Sequence, residues 1–323
     1  MWLPAAAIAA FAALGDAASA PLTLLPSNTL GRCLDGTPSG FYLLPGDSRR
    51  FTLTLFGGGE CSDSASCLSK VGTNLGSSKY FAPSMGFDSG SHFANPSLTE
   101  NPGFGSWTHV QLPYCSQDLH MGTRSSADAS TFGLYFSGHL VLEAVLGQLD
   151  GLGLAGATDI LLTGDSAGGI GTWPHADWLA ARYPQARVSF APLAGLYFNS
   201  FPYTGPNHTQ SILASFSPEG IEALHQLYQP FLDADCAAAY AAQGASPSPC
   251  MLGNSSQGYV HSPVFVIEAQ TDQVQLIDHD DLPPQYVSLP QEQAYIREWT
   301  ENMTASLAHA LSPAVKQSGA FFP

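Results

Sequence analysis

One turn constrains the fold of this chain more than any other segment. The apolar run Thr158–Thr163 (TDILLT) has the length and composition of a buried β-strand, and Gly164-Asp165-Ser166-Ala167-Gly168 follows it before a helical pattern begins. A chain that turns so sharply from strand to helix has no room for side chains two positions before and after the serine, so both positions need glycine. The segment therefore predicts a strand–turn–helix unit with Ser166 at the turn.

Strand-like and helical patterns alternate along the rest of the chain. The other strand-like runs are Phe51–Phe56, His109–Pro113, Val188–Leu193 and Pro263–Ile267, and the helical patterns are Gly138–Leu149, Pro174–Tyr183, Glu219–Tyr228 and Gln291–Leu311. Proline suits a first helical turn but not a helix interior, so we expect a new helix to start at Pro174 rather than one continuing from residue 167. The alternation predicts an α/β fold with a mostly parallel central sheet and helices on both faces.

The domain organisation is expected to be simple. Gly and Pro together make 56 of the 323 residues, and two stretches, residues 83 to 107 and 199 to 217, are rich in turn-forming residues. Both fit loops within one fold better than linkers between folds. We therefore expect a single domain over residues 21–323, with disulfide-stabilised loops.

The N-terminus is typical of an exported protein. Residues 1–20 contain a short apolar run and end in Ala18-Ser19-Ala20, which predicts a cleaved signal peptide. The alternative is a buried N-terminal helix. Three acceptor sequons, at Asn207, Asn254 and Asn302, agree with export, so we expect a secreted glycoprotein.

The six cysteines form an even set, which allows 15 possible pairings in an oxidising compartment. Cys61 with Cys67 and Cys236 with Cys250 are close enough to close short loops, which leaves Cys33 with Cys115. A metal site is the competing interpretation, but neither a CxxC pair nor a His-x-x-x-His spacing accompanies these cysteines. We therefore expect disulfides and no metal.

The charge balance of the chain excludes nucleic acid as a binding partner. Lys and Arg total 10 against 26 for Asp and Glu, so the chain has no basic surface that could neutralise nucleic-acid phosphates. No apolar segment after residue 20 is long enough to span a bilayer. We expect a monomer that neither binds nucleic acid nor spans a membrane.

The turn at Ser166 also predicts chemistry, because a serine presented this way can act as a nucleophile. Such a serine needs N–H donors for the developing oxyanion, and the strand run Phe51–Phe56 leads directly into three glycines. We expect the backbone N–H groups of Gly58, Gly59 and Ala167 to supply them. The alternatives are an ordinary glycine turn at Ser166 and a flexible or phosphate-binding loop at the three glycines.

The acid of a serine triad should follow a late strand, and Asp272 lies a few residues after the run Pro263–Ile267. The nearby Asp278, Asp280 and Asp281 form a run of like charge, which instead predicts a solvated acidic face. We expect His279, which lies among them, to be on the surface.

The general base is not identified from the sequence. His309 falls near the end of a helical pattern, where a cation is favourable for structural reasons. His120, His139 and His175 all precede the acid in the chain, although geometry rather than chain order defines a triad.

At these residues the chain resembles the pectin acetylesterase family. The resemblance runs from about Leu30 to Pro323 and is carried by the stretches FGGGECSDSASCLSKVGTNLGSSKYF, NPGFGSWTHVQLPYCSQDLHMG, LYFSGHLVLEAVLGQL, DILLTGDSAGGIGTW and PVFVIEAQTDQVQL. It implies Ser166 as nucleophile, Asp272 as triad acid, an oxyanion hole from Gly58, Gly59 and Ala167, and disulfides Cys33–Cys115 and Cys61–Cys67.

The chain also departs from the family pattern. Gly59-Glu60 stands where the family usually has an aromatic residue, and Asp165 stands where Cys or Thr is usual. Family chains continue beyond the stretch that resembles SGAFFP into a Cys-x-x-His-like segment that supplies the catalytic histidine. We therefore expect this chain to stop short of that segment.

The resemblance implies a secreted serine esterase of α/β-hydrolase type that removes O-acyl groups, acetyl above all, from an extracellular polysaccharide such as pectin. It implies no cofactor and no metal. Two alternatives stay open: a deacylase of a lipid-modified protein, and a catalytically silent glycoprotein that binds glycan or protein through the same scaffold.

Overall fold

The structure is a computed structural model that describes residues 18–284, 288–310 and 318–321. Its strands are β1 (Ala18–Leu24), β2 (Gly40–Leu44), β3 (Asp47–Leu55), β4 (Ser84–Phe87), β5 (Trp107–Leu112), β6 (Asp159–Asp165), β7 (Arg187–Leu193), β8 (Phe265–Ile267) and β9 (Gly319–Phe321). Its α-helices are α1 (Ser64–Lys70), α2 (Gly138–Asp150), α3 (Ala167–Arg182), α4 (Pro218–Tyr228), α5 (Ala234–Ala242), α6 (Gly253–Ser256) and α7 (Pro290–Ala310).

The strands form one sheet in the order β4-β1-β2-β5-β3-β6-β7-β8-β9. The strands from β5 to β9 in this order are parallel to one another, whereas β2, β1 and β4 are added antiparallel at one edge. The prediction of an α/β fold with a mostly parallel central sheet is confirmed. Because parallel strands end at the same edge, the residues that follow β3, β6, β7 and β8 meet there.

The two faces of the sheet differ in what covers them. Alternate residues of β3, such as Leu53 and Leu55, join an apolar core with side chains from α2, α3 and α7. The opposite face of β3 and β5 carries polar side chains, and further along the sheet Leu161 and Ala191 pack against Phe93 and Phe104 of the segment between β4 and β5. That segment includes the 3-10 turn Ser89–Ala94.

The expected helix break before Pro174 is wrong. Helix α3 runs without interruption from residue 167 to residue 182, with Pro174 inside it. Proline removes one backbone hydrogen bond, but α3 packs on β6 and β7 and is buried along most of its length. The burial of the whole helix outweighs this local cost.

The expectation that residues 83 to 107 form only a loop is also wrong. Residues 84–87 form β4, which pairs with residues 18–21 of β1. A four-residue strand that contains a glycine gives little local signal, and it is stabilised by a partner more than 60 residues away in the chain. The second predicted loop, residues 199 to 217, contains no helix or strand among its described residues.

Three disulfides connect the loops: Cys33–Cys115, Cys61–Cys67 and Cys236–Cys250. These are the pairs that the spacing of the cysteines favours. The first joins the segment between β1 and β2 to the end of β5, and the second closes the loop that follows β3. No helix in the described ranges has the length and apolarity needed to cross a membrane.

Candidate active site

Ser166 occupies the sharp turn between β6 and α3. Its backbone has φ 53° and ψ −123°, a conformation that L-residues rarely adopt, and its N–H donates to the carbonyl of Leu193 at 3.0 Å. A Cβ on Gly164 would lie 2.5 Å from the backbone of Gly168, and a Cβ on Gly168 would lie 2.0 Å from the carbonyl oxygen of Leu55. The predicted need for glycine on both sides of the serine is thus confirmed, and the half-buried Ser166 lies at the sheet edge.

The three glycines that follow β3 lie beside this turn. A Cβ on Gly57 would be 2.9 Å from the Cβ of Ser166, so the two backbones are in contact. Gly58 and Gly59 have φ of 146° and 70°, which only glycine adopts without strain. Within the described residues, the N–H groups of Gly58, Gly59 and Ala167 donate to no protein acceptor. The turn therefore presents a serine next to unpaired backbone donors.

Tyr197 is a neighbour of Ser166 that the sequence did not indicate. It follows β7 at the same edge of the sheet, it is 1% exposed, and its hydroxyl lies next to the side chain of Ser166. Burial and the nearby carboxyl groups of Asp272 and Glu268 raise the pKa of Tyr197 well above its ordinary value. The phenol is neutral and can orient the serine hydroxyl, but it is a poor base.

Asp272 lies beyond β8, at the same edge. It is 6% exposed, and its Oδ1 accepts the N–H groups of Val274 at 2.8 Å and Gln275 at 3.0 Å. Burial and the charge of Asp272 raise the pKa of Glu268 well above its ordinary value, and the Glu268 carboxyl hydrogen-bonds to Asp272. This shift favours the protonated form of the Glu268 carboxyl. The carboxyl of Asp272 and the hydroxyl of Ser166 both lie around Tyr197.

The expectation of a solvated acidic face at residues 278 to 281 is wrong for its central members. Asp280 is fully buried and accepts hydrogen bonds from Ser200 at 2.7 Å and from the indole of Trp299 at 3.0 Å. His279, expected on the surface, is 2% exposed and donates through Nδ1 to the carbonyl of Ala214 at 2.7 Å. The π-helical turn Val274–His279 buries Gln275, Leu276 and His279, and the run of charges in the sequence does not reveal this burial.

Glu60 and His279 form a buried pair next to the glycine loop. Glu60 is 3% exposed, its Oε1 lies 4.0 Å from the Nδ1 of His279, and it accepts the N–H of Ala214 at 2.8 Å. Burial raises the pKa of Glu60, and the nearby His279 opposes that shift. The acidic residue that departs from the family pattern is thus an internal anchor for residues 213 to 216.

The candidate histidines that precede Asp272 in the chain, His120, His139 and His175, have structural partners. His120 Nε2 lies 2.8 Å from the carbonyl of Phe56, and His139 Nδ1 lies 3.0 Å from His175 Nε2 in the core. Burial lowers the pKa of His120 to about 4. His309 is in α7, and its side chain lies outside the described part of the structure. Among the described residues, no histidine hydrogen-bonds to Asp272.

A serine at positive φ between a central strand and a helix, on a mostly parallel sheet with a glycine loop beside it, defines an α/β-hydrolase type of fold. The family model described as Pectinacetylesterase matches residues 15–322, so the chain belongs to the pectinacetylesterase family.

Individual relatives agree with this assignment. The chain is 30% identical to pectin acetylesterase 5 of Arabidopsis thaliana over 243 residues. This alignment covers 74% of this chain and 54% of that protein. It is 29% identical to the human palmitoleoyl-protein carboxylesterase NOTUM over 293 residues. This alignment covers 88% of this chain and 56% of that protein. The chain thus spans just over half the length of these curated relatives.

A solved structure is also similar. The Wnt deacylase Notum from Drosophila superposes with a TM-score of 0.79 at 28% sequence identity, and the match covers 95% of this chain and 84% of that chain. Both the family and the α/β-hydrolase-like fold are therefore established for this chain.

Proposed function

We propose that this protein is a serine carboxylic ester hydrolase with Ser166 as its nucleophile. The single observation that carries the proposal is the backbone of Ser166, held at φ 53° between β6 and α3 and in contact with the glycine loop. Such strain is retained where the surrounding structure over-determines it, and it projects the hydroxyl away from the helix toward a substrate. The names of the relatives, which are carboxylesterases and acetylesterases, support the same chemistry.

In the proposed reaction the hydroxyl oxygen of Ser166 attacks the ester carbonyl carbon and the alcohol leaves, which forms an acyl-serine that water then hydrolyses. The N–H groups of Gly58, Gly59 and Ala167 stabilise the oxyanion, and losing one such donor typically costs about 3 kcal/mol in the transition state. Asp272 is the proposed acid that orients the base. The base is a histidine that we do not assign to a residue of this chain.

For the substrate, we propose O-acetyl esters on an extracellular polysaccharide such as pectin. Two observations support a small acyl group. A Cβ on Gly58 would lie 2.5 Å from the side chain of Leu75, and one on Gly59 would lie 2.8 Å from that of Leu213. The space around the proposed oxyanion hole is therefore already occupied by apolar side chains. The relationship to pectin acetylesterases supports the same substrate.

The second candidate function is removal of a lipid acyl group from a protein. The likeness to the Drosophila Wnt deacylase favours it, because that structure matches 95% of this chain. A panel of p-nitrophenyl esters separates the two candidates. Preference for acetate favours polysaccharide deacetylation, and preference for octanoate or longer chains favours the deacylase.

A third candidate is a binding protein without catalysis, since no described histidine hydrogen-bonds to Asp272. Labelling with a fluorophosphonate probe decides between this candidate and the esterase. We expect the chain to be labelled, Ser166→Ala to lose the label, and Ser69→Ala, which changes an exposed serine of α1, to retain it. If the wild-type chain and a form extended at its C-terminus both stay unlabelled, the esterase proposal is refuted and the silent scaffold is supported.

We also propose that the protein is exported and glycosylated. Three disulfides support an oxidising compartment, and the sequon residues Asn207 and Asn302 are exposed while Asn254 is half-buried. Treatment of the secreted protein with an N-glycosidase should lower its mass, with Asn207→Gln and Asn302→Gln each removing one step. A mass unchanged by the enzyme contradicts the proposal.

The proposed signal peptide overlaps β1 by three residues. Residues 18–20 pair with residues 85–87 of β4, so cleavage after Ala20 removes three of the four pairs between these strands. N-terminal sequencing of the secreted protein locates the cleavage point. A mature chain that starts at residue 18 would keep the whole strand.

A further inference from the structure

A cavity lies beside the nucleophile turn and is lined by residues of β3, β4 and β5. We call it the rear cavity, and it is lined by Thr54 of β3, Gln111 of β5, Met85 and Gly86 of β4, and by His92 and Asp165. Its volume is about 440 Å³, which is within the range of small-molecule sites. Thr54 and Gln111 are directly paired in the parallel register of β3 and β5, on the face of the sheet opposite the helices.

Two buried oxygens of the rear cavity lack a partner. Thr54 is 6% exposed and Gln111 is 2% exposed, and neither the hydroxyl of Thr54 nor the amide oxygen of Gln111 bonds to any described residue. Buried polar atoms are almost always hydrogen-bonded in native proteins, because desolvating one without a partner is costly. Since both side chains line the same cavity, their unsatisfied oxygens point to a polar ligand there.

The side chains that line the rear cavity indicate which class of ligand it binds. The amide oxygen of Gln111 and the carboxyls of Asp88 and Asp165 all accept hydrogen bonds, and no lysine or arginine is among the described residues that line the cavity. A ligand rich in hydroxyl donors satisfies these acceptors, whereas a carboxylate or phosphate would face two acidic groups. Phe56 and Met85 add apolar surface for the C–H face of a sugar ring.

The rear cavity reaches the proposed nucleophile through Asp165. Burial raises the pKa of the Asp165 carboxyl, and the nearby backbone N–H of Gly57 opposes that shift. Gly57 in turn lies against both Asp165 and Ser166. A ligand in the rear cavity would therefore contact the residue that precedes Ser166 and that supports the start of the glycine loop.

We propose that the rear cavity is a binding site for a neutral sugar residue, distinct from the proposed ester-hydrolysis site. The site goes beyond the proposed function, and its test measures binding rather than turnover. Failure of ester hydrolysis and failure of sugar binding are therefore separate results.

Isothermal titration calorimetry on the full chain tests the proposal with three probes: cellobiose as the neutral sugar, digalacturonate as its anionic counterpart, and spermidine as a cation. We expect cellobiose to bind, and the double variant Thr54→Val/Gln111→Leu to bind it about tenfold more weakly or worse, because two hydrogen bonds are lost. Gln257→Leu is the matched control. Gln257 is also buried with an unpartnered amide oxygen, but it lines a different cavity.

A second pair of variants tests the same site if the double variant Thr54→Val/Gln111→Leu does not fold. A Cβ on Gly86 would meet only the carboxyl of Asp88, at 4.0 Å, so Gly86→Trp can enter the rear cavity from its rim. Gly72→Trp, at a position with open space around it, is the control. Loss of cellobiose binding in Gly86→Trp but not in Gly72→Trp supports the site. Absence of binding to the wild type, equal binding by the double variant and Gln257→Leu, or preferential binding of digalacturonate or spermidine overturns it.

Discussion

Acidification should destabilise this protein through a pair of buried histidines. His139, in the first turn of α2, and His175, inside α3, are 8% and 0% exposed, and their facing nitrogens are 3.0 Å apart. His175 Nδ1 donates to the carbonyl of Gly171 at 2.6 Å, so its Nε2 must accept a hydrogen bond from the Nδ1–H of His139. Both rings also stack on Phe231. The pair is therefore packed and bonded as two neutral imidazoles.

Burial lowers the pKa of His139 from 6.5 to about 4, and burial together with the proximity of His139 lowers the pKa of His175 well below its ordinary value. Because the folded-state pKa of His139 lies below that of the unfolded chain, the unfolded chain binds more protons between pH 6.5 and pH 4. Stability is therefore present above that window and is lost as the pH falls through it. For His139 alone the loss between pH 7 and pH 4.5 is about 2 kcal/mol.

Urea unfolding at pH 7 and at pH 4.5 measures this loss. His139→Asn keeps an N–H donor for His175 but cannot be protonated, so we expect it to lose about 2 kcal/mol less than the wild type between the two pH values. His208→Asn, which changes an exposed histidine, should behave as the wild type does. Other groups titrate in the same range, and the comparison between variants cancels their contribution. If wild type and His139→Asn lose the same stability, the reasoning fails.

Three further predictions concern the turn, its neighbour and a disulfide. Gly168→Ala places a Cβ against a backbone carbonyl of β3, so the melting temperature should fall by an amount equivalent to about 3 kcal/mol, and an unchanged melting temperature contradicts the geometry. Tyr197→Phe removes a hydroxyl that lies next to the side chain of Ser166, and we expect kcat/KM for p-nitrophenyl acetate to fall by about threefold to tenfold with the fold intact; unchanged kinetics would exclude a positioning role. Replacing the Cys33–Cys115 bridge, with a sequence separation of 82, by two serines should cost about 4.5 kcal/mol in urea unfolding, more than the roughly 3 kcal/mol of a bridge that spans 14 residues.

The predicted parts of the site are those whose signal is local in the chain. The glycines around Ser166 are required by steric contacts within a single strand–turn–helix unit, so five consecutive residues were enough to predict the turn. The three glycines after β3 carry the same kind of local signal, and the structure gives two of them positive φ. The catalytic roles of these residues remain proposals.

The parts that the sequence did not predict depend on distant contacts. Strand β4 exists because it pairs with β1, and β9 because it pairs with β8. The charge pattern around His279 suggested a surface, yet the contacts of this turn with residues 200, 214 and 299 bury it. Tyr197 gave no signal in sequence, since an aromatic residue after a strand is most often part of a core.

The sequence by itself determined the alternation of strands and helices, the Ser166 turn and the pairing that the cysteine spacing favours, because each depends on residues near one another in the chain or on simple counting. Only the tertiary structure decided that Pro174 stays inside a helix, that Glu60 and His279 are buried side by side, and that Tyr197 is close to both Ser166 and Asp272. These outcomes follow from burial and from contacts between segments far apart in the chain. Their free energy can exceed the local preferences of about 1 to 3 kcal/mol that a sequence pattern records.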